Sequence, residues 1–182
     1  MDISALYDIY IQHPIVTTDS RNCPSGSIFF ALKGDKFNGN RFALNALQQG
    51  CAYAVVDEFD EAFEGNDHII VVDNVLESLQ KLANYHRRKL KIPIIGITGT
   101  NGKTTTKELV SAILSKEFKV AFTQGNFNNH IGVPLTLLSM TREHEIGVVE
   151  MGASHPGEIA QLCAIAEPNF GLITNIGNAH IE

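Results

Sequence analysis

The sequence has no tryptophan, only three cysteines and no apolar run near the ~18 residues that cross a bilayer. Cys23, Cys51 and Cys163 are far apart and form no Cys-x-x-Cys pair, which argues against a zinc site or a disulfide framework and favours a reduced setting. The amino terminus is acidic where a signal peptide is basic. We therefore expect a cytoplasmic protein without membrane insertion.

Basic residues are also in short supply. The chain has 14 Lys and Arg against 20 Asp and Glu, which gives a formal net charge of −6. A protein that coats nucleic acid needs an excess of cations, so this balance argues against a nucleic-acid partner. Hydrophobic residues make up 44% of the 182 positions, which excludes intrinsic disorder and allows a packed core.

The chain reads as two α/β parts, residues 1–91 and 92–182, joined at a proline that disfavours continuing the preceding helix. Strand and helix patterns alternate in both parts, and in the second part they predict a parallel sheet with ligands beyond the carboxyl ends of its strands. The predicted strands of the first part are 15–18, 27–32, 52–56 and 68–72, and its helices are 41–49 and 75–90. The predicted strands of the second part are 93–98, 119–123, 146–151 and 170–176, and its helices are 104–116 and segments near 134–140 and 157–166.

The clearest motif is a glycine loop between an apolar strand and a helix, residues 94–105 (IIGITGTNGKTT). Glycines let successive backbone N–H groups converge on phosphate oxygens, and the helix N-terminus adds partial positive charge. Lys103 is expected to reach the β and γ phosphates, and the Thr104 hydroxyl to bind Mg²⁺. The strict Walker pattern has glycine where Ile97 stands, so this is a variant loop, and a plain tight turn is the alternative. The predicted nucleotide-binding residues are Gly99, Thr100, Asn101, Gly102, Lys103, Thr104 and Thr105.

A phosphate loop also needs an acid at a neighbouring strand end to hold Mg²⁺. The chain has no aspartate after Asp73, so the acid must be a glutamate, and a GTPase with aspartate-based motifs is disfavoured. Glu150 alone follows an apolar strand and comes two residues before a glycine, which places it at the carboxyl end of a core strand. A solvated carboxylate is the alternative reading of Glu150.

Two other polar features follow predicted strands. His180 comes just after the last one, where a neutral imidazole is able to bind a divalent cation, although a lone histidine is more often an ordinary residue. The loop at 123–134 is rich in amides. Asn126, Asn128 and Asn129 are candidate donors to a multiply oxygenated ligand, with simple turn formation as the alternative.

Four stretches together resemble one family: residues 98–104 (TGTNGKT), 125–138 (GNFNNHIGVPLTLL), 150–159 (EMGASHPGEI) and 173–182 (ITNIGNAHIE). In these stretches the chain is similar to the Mur ligases, ATP-dependent amide-forming enzymes that build the peptide of peptidoglycan precursors. The resemblance also covers the first part, at 18–21 (TDSR), 24–34 (PSGSIFFALKG) and 37–43 (FNGNRFA). It implies a role in cell wall biogenesis, and so in cell shape and cell division.

The resemblance implies roles for particular residues. Lys103 would hold the ATP phosphates, Thr104 and Glu150 one Mg²⁺, and His180 a second metal near the substrate carboxylate, so that Lys103, Glu150 and His180 are the predicted catalytic residues. ATP would phosphorylate the terminal carboxylate of a UDP-MurNAc-peptide, and an amine would then displace phosphate. Phosphorylation supplies the leaving group that a carboxylate lacks.

For the first part, the resemblance implies a small α/β domain that binds the UDP end of the substrate. Ser20, Arg21, Lys33 and Asn38 are the predicted substrate-binding residues there, since a guanidinium and an ammonium suit pyrophosphate or uridine oxygens. Without the family, residues 19–21 favour a turn with a surface ion pair.

The family continues beyond His180, with a lysine that is carbamylated to bridge the second metal and a domain for the amino component. We therefore expect an amino-terminal fragment, with an incomplete ATP-binding domain, that is monomeric and has no ligase activity alone. The motifs resemble the member that joins D-alanyl-D-alanine to UDP-MurNAc-tripeptide more than the member that adds a diamino acid. That second ligase, or a nucleotide-binding module without chemistry, remains an alternative.

Overall fold

The computed structural model describes residues 2–177, and the chain divides into two compact units between Leu82 and Ala83. The first unit contains two antiparallel-paired short strands, a parallel sheet and three helices. Its elements are α1 (Ile3–Gln12), β1 (Val16–Thr17), β2 (Ile28–Phe30), β3 (Lys33–Gly34), β4 (Phe37–Asn38), α2 (Ala43–Gln48), β5 (Tyr53–Val56), β6 (Ile69–Val71) and the first half of α3 (Val75–Leu90). Short 3₁₀ turns cover Gly39–Phe42 and Glu61–Phe63.

The sheet of the first unit has the order β1-β2-β5-β6, with all neighbours parallel. Its central strands are buried on both faces, and Ile28, Phe29 and Phe30 are at most 1% exposed. Parallel strands covered on both faces read as continuous apolar runs, which is why the sequence predicts them. Each strand of this sheet lies within its predicted range.

Two features of the first unit are not predicted from the sequence. The helix α1 begins at Ile3, but its many β-branched and aromatic residues favour strand as much as helix, and only Leu6 and Tyr10 are buried. The hairpin of β3 and β4 pairs Lys33 with Asn38 and Gly34 with Phe37. Strands of two residues carry no periodicity that a sequence pattern could reveal.

The helix α3 has the predicted bounds and runs through the division of the chain. Asn74 caps it, because its Oδ1 accepts the Glu77 N–H at 2.8 Å. At the other end, Arg87 donates to the carbonyl oxygens of Ala166 at 2.9 Å and Glu167 at 3.0 Å, in the second unit. The division therefore comes earlier than the joint expected after Lys91, because the last turns of α3 bond to the unit that follows them.

The second unit is a parallel α/β layer structure. Its further elements are β7 (Ile94–Thr98), α4 (Lys103–Leu114), β8 (Val120–Phe122), α5 (Gly132–Leu138), β9 (Ile146–Glu150), α6 (Glu158–Ala166) and β10 (Phe170–Ile173). The sheet order is β10-β7-β9-β8, with all neighbours parallel. This confirms the predicted α/β class and parallel sheet. The loop after β7 leaves the sheet between the ends of β9 and β10, where ligands bind in such folds.

One expectation about α4 is wrong. The apolar pattern predicts Leu109, Val110, Ile113 and Leu114 on its inner face. Val110 and Leu114 are half-buried, but the exposed fractions of Leu109 and Ile113 are 60% and 70%. The buried residues of α4 are Lys107 and Ser111, four positions apart, and these face the sheet. A pattern of apolar residues places half of its positions wrongly because two polar residues occupy the most buried positions of this helix. Among the described residues, no helix is both long and apolar enough to cross a membrane.

Candidate functional site

The glycine loop connects β7 to α4 as predicted. Gly99 has φ +138° and Gly102 has φ +78°, conformations that L side chains rarely adopt. Gly102 is also the N-cap of α4, so the loop leads directly into the helix N-terminus. These two glycines therefore provide the backbone curvature that a phosphate-binding loop needs.

Lys103 folds back over this loop. Its Nζ donates to the carbonyl oxygens of Gly99 at 2.7 Å and Thr100 at 3.2 Å. Thr104, the next residue, has its hydroxyl on the other side of the first turn, where it donates to Glu150 Oε1 at 3.2 Å. The first turn of α4 thus presents an ammonium and a hydroxyl near the carboxyl ends of β7 and β9.

The segment after β10 holds the loop from the side. Asn175 Oδ1 accepts the Asn101 N–H at 3.0 Å, and its Nδ2 donates to Asn101 O at 3.1 Å. Thr174 Oγ1 also donates to Asn101 O at 2.6 Å, and Gly177 N donates to Thr100 Oγ1 at 2.9 Å. This segment fixes the conformation of the loop. The sequence does not indicate that role, because the pairing is distant along the chain.

Glu150 ends β9 beside the loop, as predicted. It is 1% exposed, so the solvated alternative is wrong. Oε1 accepts hydrogen bonds from Thr104 and from Asn128 Nδ2, at 3.2 and 2.9 Å. Oε2 is buried and has no hydrogen-bond partner among the described residues.

A buried carboxylate oxygen without a partner is costly, which suits a site that a cation completes. The donors present are a carboxylate and a hydroxyl, the oxygen ligands that Mg²⁺ prefers, and Mg²⁺ in phosphate sites takes only one or two protein carboxylates with phosphate and water. In residues 2–177 no group of three or more His, Cys, Asp or Glu side chains forms a metal cluster. The residues therefore fit Mg²⁺ held together with a nucleotide. His180 lies outside the described residues.

The three asparagines after β8 differ in their contacts. Asn128 bonds to Glu150, and its carbonyl accepts the Gly152 N–H at 2.7 Å. Asn129 Oδ1 accepts the Ile131 and Gly132 N–H groups at 3.1 and 2.8 Å, so it makes the turn into α5. Asn126 is exposed, and its carbonyl accepts the Asn128 N–H. Asn129 thus forms a turn, which was the alternative for these asparagines, whereas Asn128 bonds to the Glu150 carboxylate.

Two cavities meet at Lys103. One, of about 410 Å³, lies toward Asn128, Asn129 and the start of α6. The other, of about 470 Å³, lies along the glycine loop toward Asn175 and Ile176. Both are also lined by residues 153–155, which follow β9. A side chain at this junction is able to contact ligands in both cavities.

The start of α6 is a polar turn in the first cavity. Glu158 Oε2 accepts the N–H groups of Ser154 at 2.6 Å and His155 at 3.1 Å, and these bonds lower the pKa of Glu158. Glu158 and His155 line the cavity, although the sequence predicts no role in the site for either residue. The available signal was their place directly after Glu150-Met151-Gly152.

In the first unit, Lys33 and Asn38 come together across the hairpin. Lys33 Nζ lies 3.0 Å from Asp57 Oδ1 and 3.3 Å from Glu58 Oε1, and Asn38 Nδ2 donates to Glu58 Oε2 at 2.7 Å. Burial raises the pKa of Asp57, but hydrogen bonds from Asn40 and Lys33 outweigh it, and the net pKa is lowered. Lys33 and Asn38 thus form a cluster with the carboxylates of Asp57 and Glu58, which follow β5.

Ser20 and Arg21 lie in a separate turn of the same unit. The Arg21 side chain is 88% exposed and pairs with Asp19 at 2.8 Å, and this hydrogen-bonded pairing lowers the pKa of Asp19 to about 2. Within the described chain Arg21 and Lys33 share no hydrogen bond or ion pair. The geometry is that of the surface ion pair, and a substrate role for these residues stays a prediction.

Comparison with known proteins agrees with the motifs. A model described as Mur ligase family, catalytic domain, matches residues 13–87, and one described as Mur ligase middle domain matches residues 97–182. The chain belongs to the Mur ligase family, which confirms the resemblance seen in its sequence. The class defined by this fold and site is thus a ligase family with a phosphate loop in its middle domain.

The chain is similar to proteins that are named as D-alanyl-D-alanine ligases. UDP-N-acetylmuramoyl-tripeptide D-alanyl-D-alanine ligases of Bacillus subtilis and Synechocystis are 43% and 44% identical, over 92% and 96% of this chain. The crystal structure of the MurF ligase from Thermotoga maritima in complex with ADP matches with a TM-score of 0.84 at 35% identity, over 94% of this chain. The chain spans 36%, 38% and 40% of the lengths of these three proteins.

Proposed function

We propose that the second unit binds ATP with Mg²⁺ and that the chain takes part in joining D-alanyl-D-alanine to UDP-MurNAc-tripeptide. One observation carries the nucleotide site: the buried Glu150 carboxylate bonds through Oε1 to Thr104 of the phosphate-loop helix, while Oε2 has no partner among the described residues. The similarity to a MurF ligase that binds ADP supports the same site.

The residues around the loop would have different roles in binding the nucleotide. Its backbone N–H groups and the N-terminus of α4 would bind the nucleotide phosphates, and Lys103 would turn from its two loop carbonyls toward the β and γ phosphates. Thr104 and Glu150 would hold Mg²⁺. The cation, when bound, neutralises phosphate charge that would otherwise repel an incoming carboxylate.

The cavity beside Asn128 and His155 is the place for that carboxylate, because Lys103 lines both this cavity and the one along the loop. A carboxylate oxygen would attack the γ phosphorus, and ADP would leave with the bond electrons. The amine of D-alanyl-D-alanine would then attack the acyl carbon, and inorganic phosphate would leave as the amine loses a proton. Lys103 would offset the repulsion between the two anions in the first step.

The first unit would bind the UDP end of the substrate through Ser20, Arg21, Lys33 and Asn38. For Lys33 this requires an exchange of partners, since Asp57 and Glu58 now neutralise its ammonium. The proposal also includes the cytoplasm as the location, a monomer as the state, and His180 as a ligand of a second metal. The names of the relatives favour D-alanyl-D-alanine over a diamino acid as the amino component.

A chimera tests the proposed reaction. This chain would replace the matching segment of the Bacillus subtilis ligase, to which it is 43% identical. We expect phosphate release that needs ATP, UDP-MurNAc-tripeptide and D-alanyl-D-alanine together, and no release when any one of the three is left out. The Lys103→Ala chimera should be inactive and the Lys116→Ala chimera active. A folded chimera that binds the substrates but releases no phosphate would contradict the assignment.

A further inference from the structure

The second turn of α4 contains a lysine to which the proposed function gives no role. Lys107 has an exposed fraction of 0%, although its ammonium is charged. Nζ donates to Thr123 O at 2.8 Å, lies 2.8 Å from Glu108 Oε1, and stands 5.7 Å from the centre of the Phe122 ring. Burying an ammonium is costly unless it is paired and hydrogen-bonded, and an apolar side chain of the same size is often no less stable. Packing alone therefore does not account for a charge here.

The carbonyl that Lys107 bonds belongs to a residue that also supports Glu150. Thr123 follows β8 and is fully buried. Its Oγ1 accepts the Glu150 N–H at 2.9 Å, and its own N–H donates to Val148 O at 3.0 Å. One buried threonine thus connects the phosphate-loop helix, through Lys107, to the last residue of β9.

The helix and β9 are therefore connected twice. The direct connection is the hydrogen bond from Thr104 Oγ1 to Glu150 Oε1. The second runs from Lys107 through Thr123 to the Glu150 N–H, three residues, or ~4.5 Å, farther along α4. Two connections of this kind restrain both the distance and the direction of the Glu150 carboxylate relative to the Thr104 hydroxyl.

We propose that Lys107 is a positioning residue for the magnesium site: through Thr123 it holds the Glu150 carboxylate at the phosphate-loop helix. The inference rests on the proposed function, because it takes Thr104 and Glu150 to be the groups that hold Mg²⁺. Residues behind metal ligands typically change metal affinity about 10- to 100-fold when they are altered, since they fix the orientation of the ligand.

Substitution of Lys107 by methionine keeps an unbranched side chain as far as Cε and removes the ammonium. The measurement is the affinity of this chain for fluorescent ADP, with and without Mg²⁺. We expect Lys107→Met to weaken the Mg²⁺-dependent part at least tenfold, with little change in the affinity measured in EDTA. Lys116→Met, which alters an exposed lysine two residues after α4, should behave as the unaltered chain. A side chain that serves packing alone would change the unfolding free energy and leave the Mg²⁺ dependence intact.

A second pair of variants keeps the inference testable if Lys107→Met fails to fold. Thr123→Val removes the hydroxyl that accepts the Glu150 N–H, and Thr123→Ser keeps it. We expect the valine variant to lose Mg²⁺ dependence and the serine variant to retain it. Hydrogen exchange of the Glu150 amide gives a readout without nucleotide, and it should become faster in Lys107→Met and in Thr123→Val.

The outcomes separate the inference from the function on which it rests. Unchanged Mg²⁺ dependence and unchanged Glu150 amide exchange in Lys107→Met, or in both threonine variants, would overturn the positioning role. If Glu150→Gln itself left the Mg²⁺ dependence unchanged, or if no form bound ADP, the proposed metal or nucleotide site would fail. The exchange rate of the Glu150 amide would still decide whether Lys107 fixes that residue.

Discussion

Substitution of Gly99 by alanine tests the geometry of the phosphate loop. A Cβ at this position would lie 2.1 Å from Thr174 Oγ1 and 3.0 Å from Asn175 O, far inside van der Waals contact. Thr174 would have to move, and its single hydroxyl proton, shared between Asn101 O and Thr98 O, would lose a hydrogen bond of about 1 kcal/mol. The positive φ costs about 1–2 kcal/mol more for an L residue. We expect the free energy of unfolding to fall by about 2–3 kcal/mol.

Gly102→Ala is the matched control for this experiment. Gly102 also has positive φ, +78°, but a Cβ there would meet no other described atom within 4 Å. Gly102→Ala should therefore lower the free energy of unfolding only through backbone strain, by about 1–2 kcal/mol. Urea titrations followed by circular dichroism measure both variants, and the expected difference between their free energies of unfolding is about 1 kcal/mol. Equal losses in the two variants would refute the close approach of Thr174 and Asn175 to the loop.

Two further predictions concern charged groups. Arg87 is 8% exposed and donates to Ala166 O, Glu167 O and Asn169 Oδ1. Arg87→Ala should therefore lower the free energy of unfolding, measured by urea titration, by about 3 kcal/mol. Arg88→Ala removes an exposed ion pair and should change that free energy little. Equal effects would contradict this. The pKa of Asp57 is lowered from 3.8, so its contribution is complete above that pH and is lost as pH falls through its folded pKa. Asp57→Asn should flatten the pH dependence of stability below 3.8, and an unchanged pH profile would argue against it.

The parts of the fold that the sequence predicts are those that depend on residues close together in the chain. The buried strands of both sheets are short apolar runs, and the loop at Gly99 has the residue types that its backbone requires. Glu150 was found by elimination, since it is the glutamate that directly ends an apolar strand. Such features depend on neighbours in the chain, and a pattern over a few residues reveals them.

The remaining features depend on contacts that are distant in sequence. Lys107 lies on the inward face of α4 because its ammonium bonds to Thr123, sixteen residues away, so apolar periodicity wrongly predicts Leu109 and Ile113 on that face. The pairing of Asn175 with Asn101 spans 74 residues and leaves no local pattern. The hairpin that brings Lys33 near Asp57 is too short to show a strand period.

Isothermal titration of this chain with MgADP tests the central claim most directly. The claim is that the loop from Gly99 to Thr105 binds nucleotide phosphates with Lys103 as the cation. We predict saturable binding by the unaltered chain and by Lys116→Ala, and at least tenfold weaker binding by Lys103→Ala with its circular dichroism unchanged. Equal affinity of Lys103→Ala and Lys116→Ala for MgADP would contradict the account.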